Sequence, residues 1–162
     1  MSGHPLLLPV ILVEMGMDAL EAGERMLWTQ LLDLEKQSGQ TVARAVYLRG
    51  EETKRANVVD YGKLAVGVLG ITQLTPSLRS HNDSLLLVIE EIDESMKQVS
   101  TVTPPPEKKY IEQAGEILSE KLRFLAQSTK AVKSRIDGVE KRAEAQQAAV
   151  CFLPSPSAIE VI

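Results

Sequence analysis

Apolar residues in this chain recur at alternating intervals of three and four, the spacing that places them on one face of an α-helix. The clearest first run is Val13, Met17, Leu20, Leu27, Leu31 and Leu34, with Glu24 as the one polar member of the seam. It predicts a helix over 10–37, opened by Pro9 at a position where a missing N–H costs nothing. Ser38-Gly39 is a plausible stop. Thr41 to Leu48 predicts a short continuation over 41–49, and Gly50 followed by Glu51-Glu52 a further break.

Val58, Tyr61, Leu64, Ala65, Val68 and Ile71 predict a helix over 56–73, although Gly62, Gly67 and Gly70 each weaken it by about 1 kcal/mol relative to alanine. A hairpin of short strands is the competing reading there. Thr75-Pro76 is expected to end the element. Asn82 and Asp83 then read as N-caps for a helix over 84–99, with Leu85, Val88, Ile89, Ile92, Met96 and Val99 on its buried face.

The three successive prolines Pro104-Pro105-Pro106 mark the clearest boundary. Beyond them no proline occurs until Pro154, and an uninterrupted helix over 107–150 would be roughly 65 Å long. Ile111, Ala114, Leu118 and Leu122 open its seam at an eleven-residue interval. Leu122, Leu125, Thr129, Val132, Ile136, Val139 and Ala143 continue it in heptad steps.

The expected fold class is therefore all-α: a three- or four-helix bundle plus one long C-terminal helix with coiled-coil character. The expected organisation is a lead over 1–9, a helical bundle over 10–100, a proline spacer over 101–106, the long helix over 107–150 and an extended tail over 151–162. Composition agrees with this. Aromatic residues are only 4% of the 162, so the core must be aliphatic, which suits helix-on-helix packing.

The net charge of −4 gives no overall attraction to nucleic acid or anionic membrane. Its distribution is uneven. Glu107 to Glu144 holds nine Lys/Arg against seven Asp/Glu, whereas Asp83 to Glu94 holds five acids and no base. The acidic stretch reads as a solvated face or as a docking surface for the basic helix. The single cysteine, Cys151, excludes an intrachain disulfide and reads as a packing residue at a helix end. The apolar run Leu6 to Val13 is too short to span a bilayer and lacks the charged start of a signal peptide, so the expected location is intracellular, cytoplasmic and soluble.

Candidate chemistry is sparse. His4 and His81 have no neighbouring ligand at metal-binding spacing and read as surface histidines in loops. Glu90, Glu91, Asp93 and Glu94 lack the glycine and alternating oxygens of a calcium loop. The glycines form no phosphate loop. Thr75-Pro76, Thr103-Pro104 and Ser155-Pro156 are loop dipeptides of a kind that proline-directed kinases use, and Ile159 to Ile162 is a short apolar stretch suited to strand addition. No catalytic residue, metal or cofactor is expected, and no membrane span.

The function this favours is a non-catalytic assembly or scaffold subunit that oligomerises or docks in a larger complex. The partner-binding residues would be Ile111, Leu118, Leu122, Leu125, Val132, Ile136 and Val139 on the long helix. Polar replacements at Leu122, Leu125 and Val132 should then abolish association while sparing the N-terminal helicity. One alternative is a helical protein holding an apolar ligand or lipid around Gly62–Gly70, lined by Met15, Met17, Met26 and Met96. The other is a nucleic-acid adaptor using Lys121, Arg123, Lys130, Lys133, Arg135, Lys141 and Arg142. These cations alternate with acids and scatter around the helix, which makes nucleic acid the weaker partner.

Overall fold

The structure is a computed structural model that describes residues 4–38 and 60–152. Among these residues every regular element is a helix: α1 (Leu7–Ser38), α2 (Tyr61–Val102) and α3 (Pro105–Phe152). The expected helix over 41–49, the start of the one over 56–73 and the extended tail from 153 lie outside the described residues.

Two expected boundaries inside α2 do not occur. The helix runs through Thr75-Pro76 and through Asn82 without interruption. The reason lies in the seam. Leu64, Val68, Ile71, Thr75, Asn82, Leu85, Ile89, Ile92 and Met96 are all buried, and with half-buried Leu78 they keep heptad phase across the proline. Burying that continuous face outweighs the roughly 3 kcal/mol that an internal proline costs. Pro76 itself is exposed, so water can reach the carbonyl of Thr72 that loses its donor. Thr75 turns its hydroxyl back onto the Ile71 carbonyl at 2.9 Å and so enters the interior satisfied. Gly62, Gly67 and Gly70 are helical, and the strand alternative does not hold.

The true N-cap of α2 is Asp60, whose carboxylate accepts the Lys63 backbone N–H at 3.1 Å. That hydrogen bond, with the Lys63 ammonium beside it, holds the Asp60 carboxyl below its ordinary range. Between α2 and α3 the break shrinks to Thr103-Pro104, because Pro105 and Pro106 occupy the first helical turn, where prolines are tolerated. The Pro104 carbonyl accepts the N–H groups of Glu107 and Lys108.

The helices divide into two compact units. Unit 1 takes Met1–Glu24 and Ser77–Ile136, and unit 2 takes Arg25–Pro76 and Asp137–Ile162. In unit 1, Val10, Val13, Met17 and Leu20 from α1, Leu85, Ile89, Ile92 and Met96 from α2, and Leu118, Leu122, Leu125, Val132 and Ile136 from α3 form one core. In unit 2, Leu27, Leu31 and Leu34, then Leu64, Val68 and Ile71, then Val139 and Ala143 are buried.

Glycine sets how closely α1 and α2 approach in unit 1. A methyl group built on Gly16 would lie 2.8 Å from Leu85 Cδ2, and one on Gly23 would lie 2.7 Å from Leu78 Cδ2. The two glycines are seven residues apart on α1 and the two leucines seven apart on α2, in antiparallel order. Each leucine fills the gap left by a missing side chain. Unit 2 reverses the roles, with Leu34 of α1 seated over Gly67 of α2.

Candidate docking surface

Within each unit α1 and α3 run in the same direction, and among the described residues the ion pairs that join them take the acid from α1. In unit 1, Glu14 pairs with Lys121, and the nearly buried Glu24 pairs with Arg135 at 3.3 Å. In unit 2, Glu35, whose side chain is 3% exposed, is held by a two-pronged contact from Arg142 at 2.9 and 2.6 Å. Two parallel N–H···O bonds of this kind fix geometry as well as charge. The Arg142 guanidinium also lies 4.6 Å from the centre of the Trp28 ring. Ser38 donates to Gln146 at 2.9 Å in the same unit.

These pairs explain the uneven charge of the sequence. From Leu7 to Glu24 there are four acids and no base, and the mildly basic α3 supplies the cations. Of the seven cations weighed for nucleic acid, Lys121, Lys133, Arg135 and Arg142 are engaged with Glu14, Asp83, Glu24 and Glu35. Arg123 and Lys130 share a groove of about 550 Å³ with Glu90, Asp93 and Glu94. The acidic stretch of α2 therefore does face the basic side of α3. The Lys133 ammonium also holds the Asp83 carboxyl below its ordinary range.

The seam residues proposed from sequence are placed inward. Leu118, Leu122, Leu125, Val132 and Ile136 lie in the core of unit 1, Val139 is fully buried in unit 2, and Ile111 is half-buried. Their apolar surface is already covered by the chain's own helices. Thr129, a weak position by sequence, is buried with its hydroxyl donated to the Leu125 carbonyl at 2.7 Å and packed against Met17 Sδ.

What α3 leaves outside is a second row at seven-residue steps: Tyr110, Ile117 and Phe124, which are 58, 69 and 62% exposed. Lys121 lies on the flank of this row that faces α1, four residues after Ile117 and three before Phe124. On α1 the matching row is Leu7, Ile11, Glu14 and Asp18, with Leu7 and Ile11 also exposed. The Glu14–Lys121 pair thus ties the two rows together, with Leu7 and Ile11 on one side and Ile117 and Phe124 on the other. Both rows went unnoticed in the sequence because the inner seams have stronger patterns. The interval from 110 to 117 to 124 was the available signal.

The remaining candidates fall elsewhere. His4 is buried, not on the surface. Its Nδ1 accepts the Leu6 N–H at 3.2 Å and its carbonyl accepts that of Leu7, so it caps α1. Loss of water holds its pKa below the ordinary value. His81 lies within α2, its Nε2 3.4 Å from the Gly16 carbonyl oxygen, and not in a loop. Thr75-Pro76 is likewise helical and Thr75 fully buried, so it offers no accessible loop. Cys151 falls within α3. Among the described residues no group of three or more His, Cys, Asp or Glu side chains could hold a metal ion, and no helix is long and apolar enough to cross a membrane.

Around Gly62–Gly70 there is a groove of about 710 Å³ in unit 2, floored by Leu34 and Gly67 and edged by Asp33, Asp60, Lys63 and the exposed Val66. None of the four methionines lines it. Met17 and Met96 are in the core of unit 1, and Met15 and Met26 are exposed. No protein-family model matches the chain, and neither a curated protein nor a solved structure matches it.

Proposed function

We propose that this protein is a non-catalytic helical assembly subunit that docks in a larger protein complex through its long C-terminal helix, with α1 completing the surface. The observation that supports the reading is the pair of outward apolar rows flanking Glu14 and Lys121. Leu7, Ile11, Tyr110, Ile117 and Phe124 together expose on the order of 500 Å², at the upper end of the roughly 300–600 Å² largest patch of ordinary monomers. Large side chains left in water at helical spacing are what an added helix would cover. The inner seam from Leu118 to Ile136 serves the same function by packing α3 into the core of unit 1 beneath that row.

The test is a pair of substitutions. Ile117→Ser with Phe124→Ser removes the outer row without touching the core, and association with partner or second copy should fall while melting is unchanged.

A second reading rests on the groove of unit 2. Its apolar floor and mixed-charge rim suit a small amphiphile, with the apolar part against Leu34 and Val66 and the polar end near Lys63. Native mass spectrometry of the purified protein would show such a ligand as a fixed added mass, and its absence after several lipid exposures would remove this reading.

A further inference from the structure

We propose that the occupant of the α1/α3 surface is a basic amphipathic helix of another protein, and not a second copy of this chain. This deepens the docking reading above and rests on it. Charge separates the two occupants. Glu14 and Glu24 are already paired with Lys121 and Arg135, so two copies meeting through this surface would bring the same net-acidic rim to both sides of the contact. The exposed charges beside the apolar rows are mostly acidic: Asp18 at the end of the α1 row, Glu107 and Lys109 beside Tyr110, and Glu116 and Glu120 beside Ile117 and Phe124. The nearby Lys121 is neutralised by Glu14, and Arg123 is turned to the groove that α3 forms with α2.

A face with apolar rows and a rim that is net acidic, four acids against the single base Lys109, attracts a helix carrying Leu-type residues on one side and Lys or Arg beside them. The exposed area also favours this choice. About 500 Å² of apolar surface is close to the non-polar share of the roughly 800 Å² that each side of a standard interface contributes, so the remainder of the contact is polar and falls on the acidic rim. A neutral or acidic helix would have apolar contact alone.

The full chain is tested with two fluorescein-labelled 18-residue helical peptides of identical pattern, one of leucine and lysine and one of leucine and glutamate, by fluorescence anisotropy. The Leu/Lys peptide should bind at least tenfold more tightly than the Leu/Glu peptide, and weaken as salt is raised from about 50 to 500 mM. Asp18→Lys with Glu120→Lys should cost the Leu/Lys peptide at least tenfold. Glu91→Lys with Glu144→Lys, both exposed and neither of them beside the α1 or α3 row, should change it less than twofold. Equal loss from both charge variants means unspecific attraction to an acidic protein and overturns the proposal. So does equal binding of the two peptides.

The variant Ile117→Ser/Phe124→Ser separates the two levels of inference. If the wild type prefers the Leu/Glu peptide or forms a dimer, and this variant abolishes either, the docking surface stands and the basic partner falls. If the variant alters neither peptide binding nor self-association, the docking reading falls with it.

Discussion

Gly67 and Gly70 are three residues apart in α2 and read alike in the sequence, yet the structure assigns them opposite responses to alanine. Each glycine in a helix interior costs about 1 kcal/mol relative to alanine, so both substitutions begin with that gain. At Gly70 nothing lies within 4 Å of the added methyl group, and the whole gain should appear. At Gly67 the methyl group would sit 3.2 Å from Leu34 Cγ and 3.3 Å from its Cδ1, with Cδ2 closer still. The entire isobutyl group is in the way, so rotating one terminal methyl is no escape. Overpacking of this kind costs about 1–3 kcal/mol, which leaves Gly67→Ala net destabilising by roughly 1 kcal/mol.

For a chain of this length 1 kcal/mol moves the melting temperature by about 2–4 °C. Thermal unfolding followed by circular dichroism should place Gly70→Ala above the wild type and Gly67→Ala below it, separated by roughly 4–8 °C. Adding Leu34→Ala should turn the Gly67→Ala step from unfavourable to favourable, because the obstructing atoms are gone. Equal gains at both glycines would refute the close approach of α1 and α2 in unit 2.

Three further predictions follow from buried polar groups. Asn82 is fully buried in unit 1 with its carboxamide making no full hydrogen bond, only a weak approach to the Asp83 carboxylate, so Asn82→Leu should stabilise by about 1–2 kcal/mol in urea denaturation. A loss instead would show that the amide is engaged. Glu35→Gln should destabilise by about 2–3 kcal/mol, since it leaves the Arg142 charge uncompensated at a largely buried site. It should also change the emission of Trp28, the single tryptophan, which Arg142 overlies; unchanged stability and emission would remove the pair from the account. His4 has a folded pKa below its unfolded 6.5, so its contribution is fully present above about 6.5 and is lost as pH falls from there through the lower folded pKa. Hydrogen exchange at the Leu6 and Leu7 amides should therefore be faster at pH 5.5 than at pH 7.5, after correction for intrinsic rates, and His4→Ala should abolish the difference.

How much of this was readable in the sequence depended on which seams were purely apolar. The α1 seam was legible even with Glu24 in it, because Leu20, Leu27, Leu31 and Leu34 surround that one acid. The α3 seam was legible for the same reason. In α2 the heptads are equally regular, but Thr75, Pro76 and Asn82 fall close together and mimic a helix end followed by a new cap. Local propensity pointed to a turn, and the burial of Leu64 through Met96 along one face prevailed. The position of α3 was legible only as charge complementarity, an acidic front against a basic back. That the pairing uses Glu14, Glu24 and Glu35 in turn required three-dimensional contacts. Nor could sequence divide apolar residues into those spent on the fold and those left outside. Leu122 and Phe124 are two residues apart, one 2% and the other 62% exposed.

That division is the central claim, and comparing Leu122→Ala with Ile117→Ser/Phe124→Ser by thermal unfolding and light scattering tests it most directly. The account predicts that Leu122→Ala lowers stability by about 2–5 kcal/mol through a core cavity, while the outer double variant melts within about 2 °C of the wild type and loses its association with partner. The contradictory result is the reverse: a Leu122→Ala protein that melts normally but no longer associates, beside an outer variant that associates unchanged.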